Sequence, residues 1–164
     1  LILTKPIGSG VLATAIKAGW DGAEGDEEEL FTWASRLNRN AGAAIASFGL
    51  RAATDITGFG LGGHLLEMAT ASDCTVRLHT DAVPIMGRAA ELAGIGLLPV
   101  GSHANRHYCD KTVMQPPGLD PVIVDLMFDA QTSGGIVLGV PRELVEEVRA
   151  WLVERGYLTG NDQR

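Results

Sequence analysis

The chain has 164 residues, enough for one domain with its own core. It is 46% hydrophobic and 20% charged, as globular proteins are, and a formal net charge of −7 argues against holding nucleic acid or another polyanion by bulk electrostatics. No apolar run approaches the ~18 residues of a membrane helix, and the first residues lack the charged, apolar, small order of a signal peptide.

The chain does not begin with Met, and Leu1 to Lys5 reads as a strand entered midway, closed by Pro6. A piece of a longer protein is therefore expected. Gly8-Ser9-Gly10 turns the chain into a helix over Val11 to Ala18, ended by Gly19. Lys5 beside this turn could meet a phosphate or simply be a solvated strand-end lysine. Trp20 to Glu29 is acidic and glycine-bearing, hence a loop, with Asp26-Glu27-Glu28-Glu29 as the cap and acidic first turn of the next helix. Leu30, Trp33, Ala34 and Leu37 then fall on one helix face. Asn38 to Asn40 breaks it, and Ala41 to Phe48 forms a small-residue helix ended by Gly49.

The next stretch organises the chain. Arg51 to Thr54 is a short strand leading to a lone carboxylate, Asp55. Gly58, Gly60, Gly62 and Gly63 follow within six residues, then an amphipathic run from Leu65 to Ala69. The order is strand, tight turn, helix. Ligands collect at the carboxyl ends of strands in α/β folds, and a helix start offers free N–H groups to anions. Asp55 could hold Mg²⁺, which in turn holds phosphate. The competing reading is that Asp55 and Thr57 only cap the helix. The glycine spacing is neither a P-loop nor Gly-x-Gly-x-x-Gly.

Cys74 to His79 alternates apolar and polar residues, as a half-buried strand does. Asp81 to Pro84 turns, Ile85 to Ala93 is helical, and Pro99 to Ser102 is loop. His103 and His107 share a helix face but have no third ligand of matching type nearby, so a polar helix start is preferred to a zinc site. Cys74 and Cys109 form no Cys-x-x-Cys pair and read as reduced thiols of a cytoplasmic protein, with a single disulfide as the less favoured alternative. Lys111 to Gln115 is a possible strand, and Val122 to Phe128 is a helix or strand that periodicity does not decide. Asp129-Ala130-Gln131-Thr132-Ser133-Gly134-Gly135 is a polar loop closed by glycines. It leads into a buried strand, Ile136 to Val140. Pro141 opens the last helix, with Leu144, Val145, Val148 and Leu152 on its apolar face. Ser133 lacks a Gly-x-Ser-x-Gly setting, and His64 with Glu67 is no His-Glu-x-x-His, so hydrolase and zinc-protease chemistry are not indicated.

Three segments together resemble one family. They are Leu3-Thr4-Lys5-Pro6-Ile7-Gly8-Ser9-Gly10, the run from Ala53 to His64, and Asp129 to Gly135. The second is similar to a Thr-Asp-(Val/Ile)-Thr-Gly-Phe-Gly-Leu-x-Gly-His signature, and the third to Asp-Pro-Gln-Thr-Ser-Gly-Gly. The family is selenophosphate synthetase, or selenide, water dikinase, and the resemblance spans nearly the whole chain. It implies an α/β (α+β) fold, a layered α/β/α domain with a mixed sheet, like the C-terminal domain of the aminoimidazole ribonucleotide synthetase superfamily. It implies that residues 1–164 are a single domain preceded, in the same polypeptide, by an N-terminal ATP-binding domain that carries the nucleophilic Cys or selenocysteine and a Lys.

No catalytic nucleophile is then expected in this chain. Asp55 matches the family's metal-binding Asp. Lys5, Thr54, Thr57, Gly58, Asp129, Gln131, Thr132 and Ser133 are the residues expected to line the phosphate or product side. The implied reaction converts ATP, selenide and water to selenophosphate, AMP and phosphate with Mg²⁺, in a cytoplasmic homodimer that needs neither nucleic acid nor membrane. A non-catalytic interaction lobe, or a related ATP-dependent synthetase or kinase, is the alternative. Ala130 departs from the family's Pro, and Tyr157 to Arg164 lacks the family's final Ile-Gly-x-Val-like strand.

Overall fold

The structure, a computed structural model, describes residues 1–157. Its centre is a short sheet of β1 (Ile2–Leu3), β2 (Ala52–Asp55) and β3 (Ile136–Gly139), in the order β1-β3-β2. Both ladders are antiparallel. Among the described residues a parallel contact enters only as the isolated bridge between Ile7 and Ile85, so the sheet is antiparallel and not mixed as expected. Around the sheet stand α1 (Ser9–Lys17), α2 (Ala23–Ala34), α3 (Arg39–Ser47), α4 (Gly60–Ala71), α5 (Ala89–Gly94), α6 (Val100–Cys109), α7 (Pro121–Met127) and α8 (Val145–Glu154).

Alternation along the strands makes the layers. Successive strand residues face opposite ways. Val137 and Leu3 pack into one cluster with Val11, Leu12, Leu61, Leu65, Leu92 and Leu126, from α1, α4, α5 and α7. Leu138 and Ile2 pack into the other, with Ala41 and Ala44 of α3 and Val148 and Leu152 of α8. The sheet is therefore covered on both faces, the expected layered α/β/α arrangement. Val148 and Leu152 are four apart, one turn along a helix, which is why α8 seals its side with so few residues.

Several local expectations change. The 20–29 loop is largely helical: α2 starts at Ala23 behind Gly22, whose φ is +79°. Asp26 does not cap it but is buried and paired to Arg88 at 3.3 Å. That pairing lies 62 residues away in sequence, out of reach of any local reading. Leu37 is exposed rather than on the buried face. Segment 74–79 keeps its alternation, with Val76 and Leu78 half-buried against the first cluster, but has no strand partner. Its pattern reports one-sided burial and not a ladder. Residues 111–115 form no strand, and α6 begins at Val100, earlier than expected. Helix α7 settles the ambiguous 122–128 segment: Pro121 takes the first helical position and Asp120 accepts from Val122 N at 2.9 Å. Strand β1 is cut to Ile2 and Leu3 because Thr4 Oγ1, not the backbone, accepts from Ile136 N at 2.8 Å.

Both cysteines are free, Cys74 exposed and Cys109 buried. Among the described residues no helix is long and apolar enough to cross a membrane. The tail Tyr157 to Arg164, read as lacking the family's final strand, lies outside the described residues beyond Tyr157.

Candidate functional site

The three glycine-bearing motifs, far apart in sequence, meet at one end of the sheet. Ile56 N donates to Gly135 O at 2.8 Å, and Gln131 N donates to Thr57 O at 3.0 Å. These bonds join the turn after β2 to the loop before β3. The turn at the start of α1 joins them through side chains. Gln131 Oε1 accepts from Gly8 N at 3.0 Å, Ser9 N at 3.2 Å and Ser9 Oγ at 3.0 Å. Asp129 Oδ2 accepts from Gly10 N at 3.1 Å, and Thr132 N donates to Ser9 Oγ at 2.8 Å.

Glycine is required where these backbones touch. Gly60 has φ +69°, and a Cβ there would sit 2.7 Å from Phe128 C. A side chain on Gly10 would run into Ala130 O and the Asp129 carboxylate. The glycines therefore serve the packing of loop on loop.

Asp55 occupies the last rung of its ladder, opposite Ile136. It is exposed, and among the described residues its carboxylate has no hydrogen-bond or ion-pair partner. Neither Asp55 nor Thr57 caps α4: the N-cap position is Phe59, without a side-chain cap bond. The capping alternative therefore fails on geometry. Among the described residues no group of at least three His, Cys, Asp or Glu side chains could hold a metal ion. Asp55 fits Mg²⁺ as one carboxylate of a shared shell, because a single side chain leaves most of the ~6 oxygen positions to other donors. His103 and His107 on α6 are exposed, and His107 lies 3.7 Å from Asp110; because α6 begins at Val100, they stand within the helix and not at its start.

The remaining expected residues divide. Gly58 is exposed, and its carbonyl accepts from Asn105 Nδ2 at 2.7 Å. Thr54 is half-buried, with only a 3.2 Å bond to Asp55 O. Thr132 and Ser133 are exposed, Ser133 with φ +51°. Lys5 is buried, and its Nζ donates to Arg36 O at 2.7 Å and Ser133 O at 2.8 Å. It is not a solvated lysine. Burial, with Arg36 nearby, lowers its pKa from the usual lysine range. Asp129 and Gln131 are also buried and turned inward, onto α1. Gln131 Nε2 donates to Asp129 Oδ2 at 2.7 Å, and Ser102 Oγ donates to Asp129 Oδ1 at 3.3 Å. Burial nevertheless raises the Asp129 pKa to about 6. Lys5, Asp129 and Gln131 thus shape the loops, and their side chains do not form the open surface.

Sequence reading passed over Asn105 and Ser102. Asn105 Nδ2 also donates to Phe128 O at 3.1 Å, clamping the two loops. Nothing local marks either residue, since Ser102 reads as the end of a loop and Asn105 as one polar residue among others beside His103 and His107. A cavity of about 250 Å³ lies elsewhere, between β1, residues 77–79 and 82–84, and α8, and its lining includes neither Asp55 nor the 129–135 loop.

Residues 1–159 match the family described as AIR synthase related protein, C-terminal domain. The chain is 57% identical over 156 residues to a selenide, water dikinase of Nitratidesulfovibrio vulgaris (strain Miyazaki F), covering 95% of this chain and 45% of that protein. It is 40% identical over 148 residues to the enzyme of that name from Clostridioides difficile, covering 90% of this chain and 42% of that protein. With the Pelobacter propionicus enzyme of the same name it shares 41% over 156 residues, 95% of this chain and 44% of that protein. The chain thus spans under half the length of these curated relatives.

Proposed function

The chain belongs to the AIR synthase related protein family, to its C-terminal domain, and on that premise we propose that it is the C-terminal lobe of a selenide, water dikinase. In this reading residues 1–164 are one domain, and an N-terminal domain of the same polypeptide supplies the nucleophile and most nucleotide contacts. The full protein is a cytoplasmic homodimer that uses ATP and Mg²⁺. This lobe contributes Asp55. The observation that carries the proposal is the free, exposed carboxylate of Asp55 at the meeting point of three loops, beside an α4 that no side chain caps.

Asp55 would hold Mg²⁺ in part, and the ion would supply offsetting positive charge to phosphoryl groups. The chain's own residues hold the loops around Asp55. Gln131 and Asp129 fix the start of α1 against the 129–135 loop. Lys5 pins the carbonyl of Ser133, and Asn105 pins that of Gly58. Thr132, Ser133 and Thr57 stay exposed on the resulting rim, placed to meet phosphate or product.

The test is Asp55→Asn in the full-length protein. AMP formation from ATP and selenide should fall on the order of 100-fold, as when one well-placed electrostatic group is lost. Circular dichroism should be unchanged, because the side chain supports nothing else among the described residues. A folded variant with near-normal turnover would remove Asp55 from the metal site. That outcome would favour the non-catalytic lobe.

A further inference from the structure

One polar chain at the rim enters the reading above only through Thr57. Thr57 Oγ1 lies 3.0 Å from His64 Nε2, and His64 Nδ1 lies 3.2 Å from Glu67 Oε2. His64 is buried, Thr57 is exposed, and the Glu67 side chain is 56% exposed. Helical spacing explains half of this: His64 and Glu67 are three apart on α4 and so share a face. The other half is tertiary. Phe59 lies against His64, ring centroids 5.7 Å apart, and sits over Gly63, where a Cβ would approach Phe59 Cβ to 3.0 Å. The imidazole is thereby held under Phe59 with both nitrogens engaged.

For an ionised Glu67 and a neutral His64 the hydrogen-bond inventory gives the chain one direction, whereas the positions of the ring nitrogens alone leave the tautomer open. An ionised Glu67 can only accept, so His64 Nδ1 carries the proton. In neutral imidazole the other nitrogen is then bare and can only accept. Thr57 must give its hydroxyl proton to Nε2. What Thr57 presents to the open rim is therefore oxygen lone pairs, with no proton to donate.

We propose that His64 and Glu67 are positioning residues that lock the Thr57 hydroxyl as an acceptor, and that Thr57 Oγ1 holds an ordered water molecule at the rim. This rests on the dikinase reading, whose reaction consumes water. A water donating one O–H to Thr57 keeps an oxygen lone pair free to face an electrophile. A phosphate oxygen, itself an acceptor, is a poor partner for Thr57 in this state. The proposal thereby changes the role of Thr57 from phosphate contact to water contact.

The experiment uses the full-length protein. Steady-state kinetics of selenide-dependent AMP formation are measured for Thr57→Val, Thr57→Ser, His64→Gln and Thr57→Val with His64→Gln. Thr57→Val should lower kcat about tenfold or more, the effect of losing one positioned hydrogen bond, with KM for ATP little changed. Thr57→Ser should recover most of the rate. The double variant should be no slower than Thr57→Val, since the two residues act as one unit. In parallel, ¹⁵N-histidine NMR of the wild type should show His64 protonated at Nδ1, its signals assigned by their loss in His64→Gln.

A merely structural His64 would move melting temperature and KM but leave the Ser rescue and the non-additivity absent. A Thr57→Val enzyme with normal kcat, an additive double variant, or a proton on Nε2 in neutral His64 would each overturn the proposal. If the wild type forms no AMP, the dikinase reading falls and this proposal falls as a statement about catalysis. The NMR result then still decides the hydrogen-bond direction separately.

Discussion

Asp129 is fully enclosed, and burial is the reason its carboxyl titrates near 6 instead of the usual 3.8. Donors from Gln131, Gly10, Val11 and Ser102 pull the value down without cancelling that effect. The folded value lies above the unfolded one. Stability from the protonated group is thus fully present below about pH 4 and lost as pH rises through about 6. A rise from 3.8 to about 6 corresponds to about 3 kcal/mol. Urea unfolding across this range should show the wild type losing stability with rising pH relative to Asp129→Asn, by that order. A pH-independent difference between the two would show that Asp129 is charged and satisfied throughout. Lys5 is a parallel case, a buried cation held by two carbonyls. Its burial was invisible in sequence because the residues that enclose it come from both ends of the chain.

Helix α1 shows how an element can be legible while its support is not. Its length follows from the apolar spacing of Val11, Leu12 and Ala15, and it ends before Gly19, whose φ is +65°. Its first turn has no cap of its own, because Gly8 stands at the N-cap. Gln131 supplies the missing acceptor from 123 residues away. Gln131→Ala should therefore cost about 2 kcal/mol, a lost cap plus buried donors left unpaired. Hydrogen exchange should quicken first at the Gly8 and Ser9 amides. Unchanged exchange there would mean that water replaces Gln131 at no cost. Segment 74–79 is the opposite case, with a clear local pattern and no element. Alternation requires only one buried side, whereas a strand requires a neighbour with free N–H and C=O groups.

At the scale of the molecule, the chain holds no cluster of at least three metal-binding side chains among its described residues. If its site is shared with another domain, the isolated 164-residue chain should form no AMP from ATP, Mg²⁺ and selenide. Chromatography of the nucleotides checks this. Robust turnover by the chain alone would end the reading of it as part of a larger enzyme. The net charge of −7 adds that nucleotide phosphates are not drawn to the chain by its overall field. In the proposed reading, local N–H groups and a shared cation would meet them.

The sequence alone determined the family likeness, the three glycine motifs, most helices and the order strand, turn, helix around Asp55. Each of these is a local property, written in side-chain period, turn chemistry or a contiguous motif. Tertiary structure alone decided that the three motifs meet, that α2 replaces an acidic loop, and that Asp129 and Gln131 turn inward while Asp55 stays free. It also decided that Thr57 bonds His64 rather than the start of α4. The reason is that a pattern states which face of an element is apolar but not what covers it. The bonds joining Gly8 to Gln131 and Asp26 to Arg88 span 123 and 62 residues, and only packing of the whole core brings such partners within 3.5 Å.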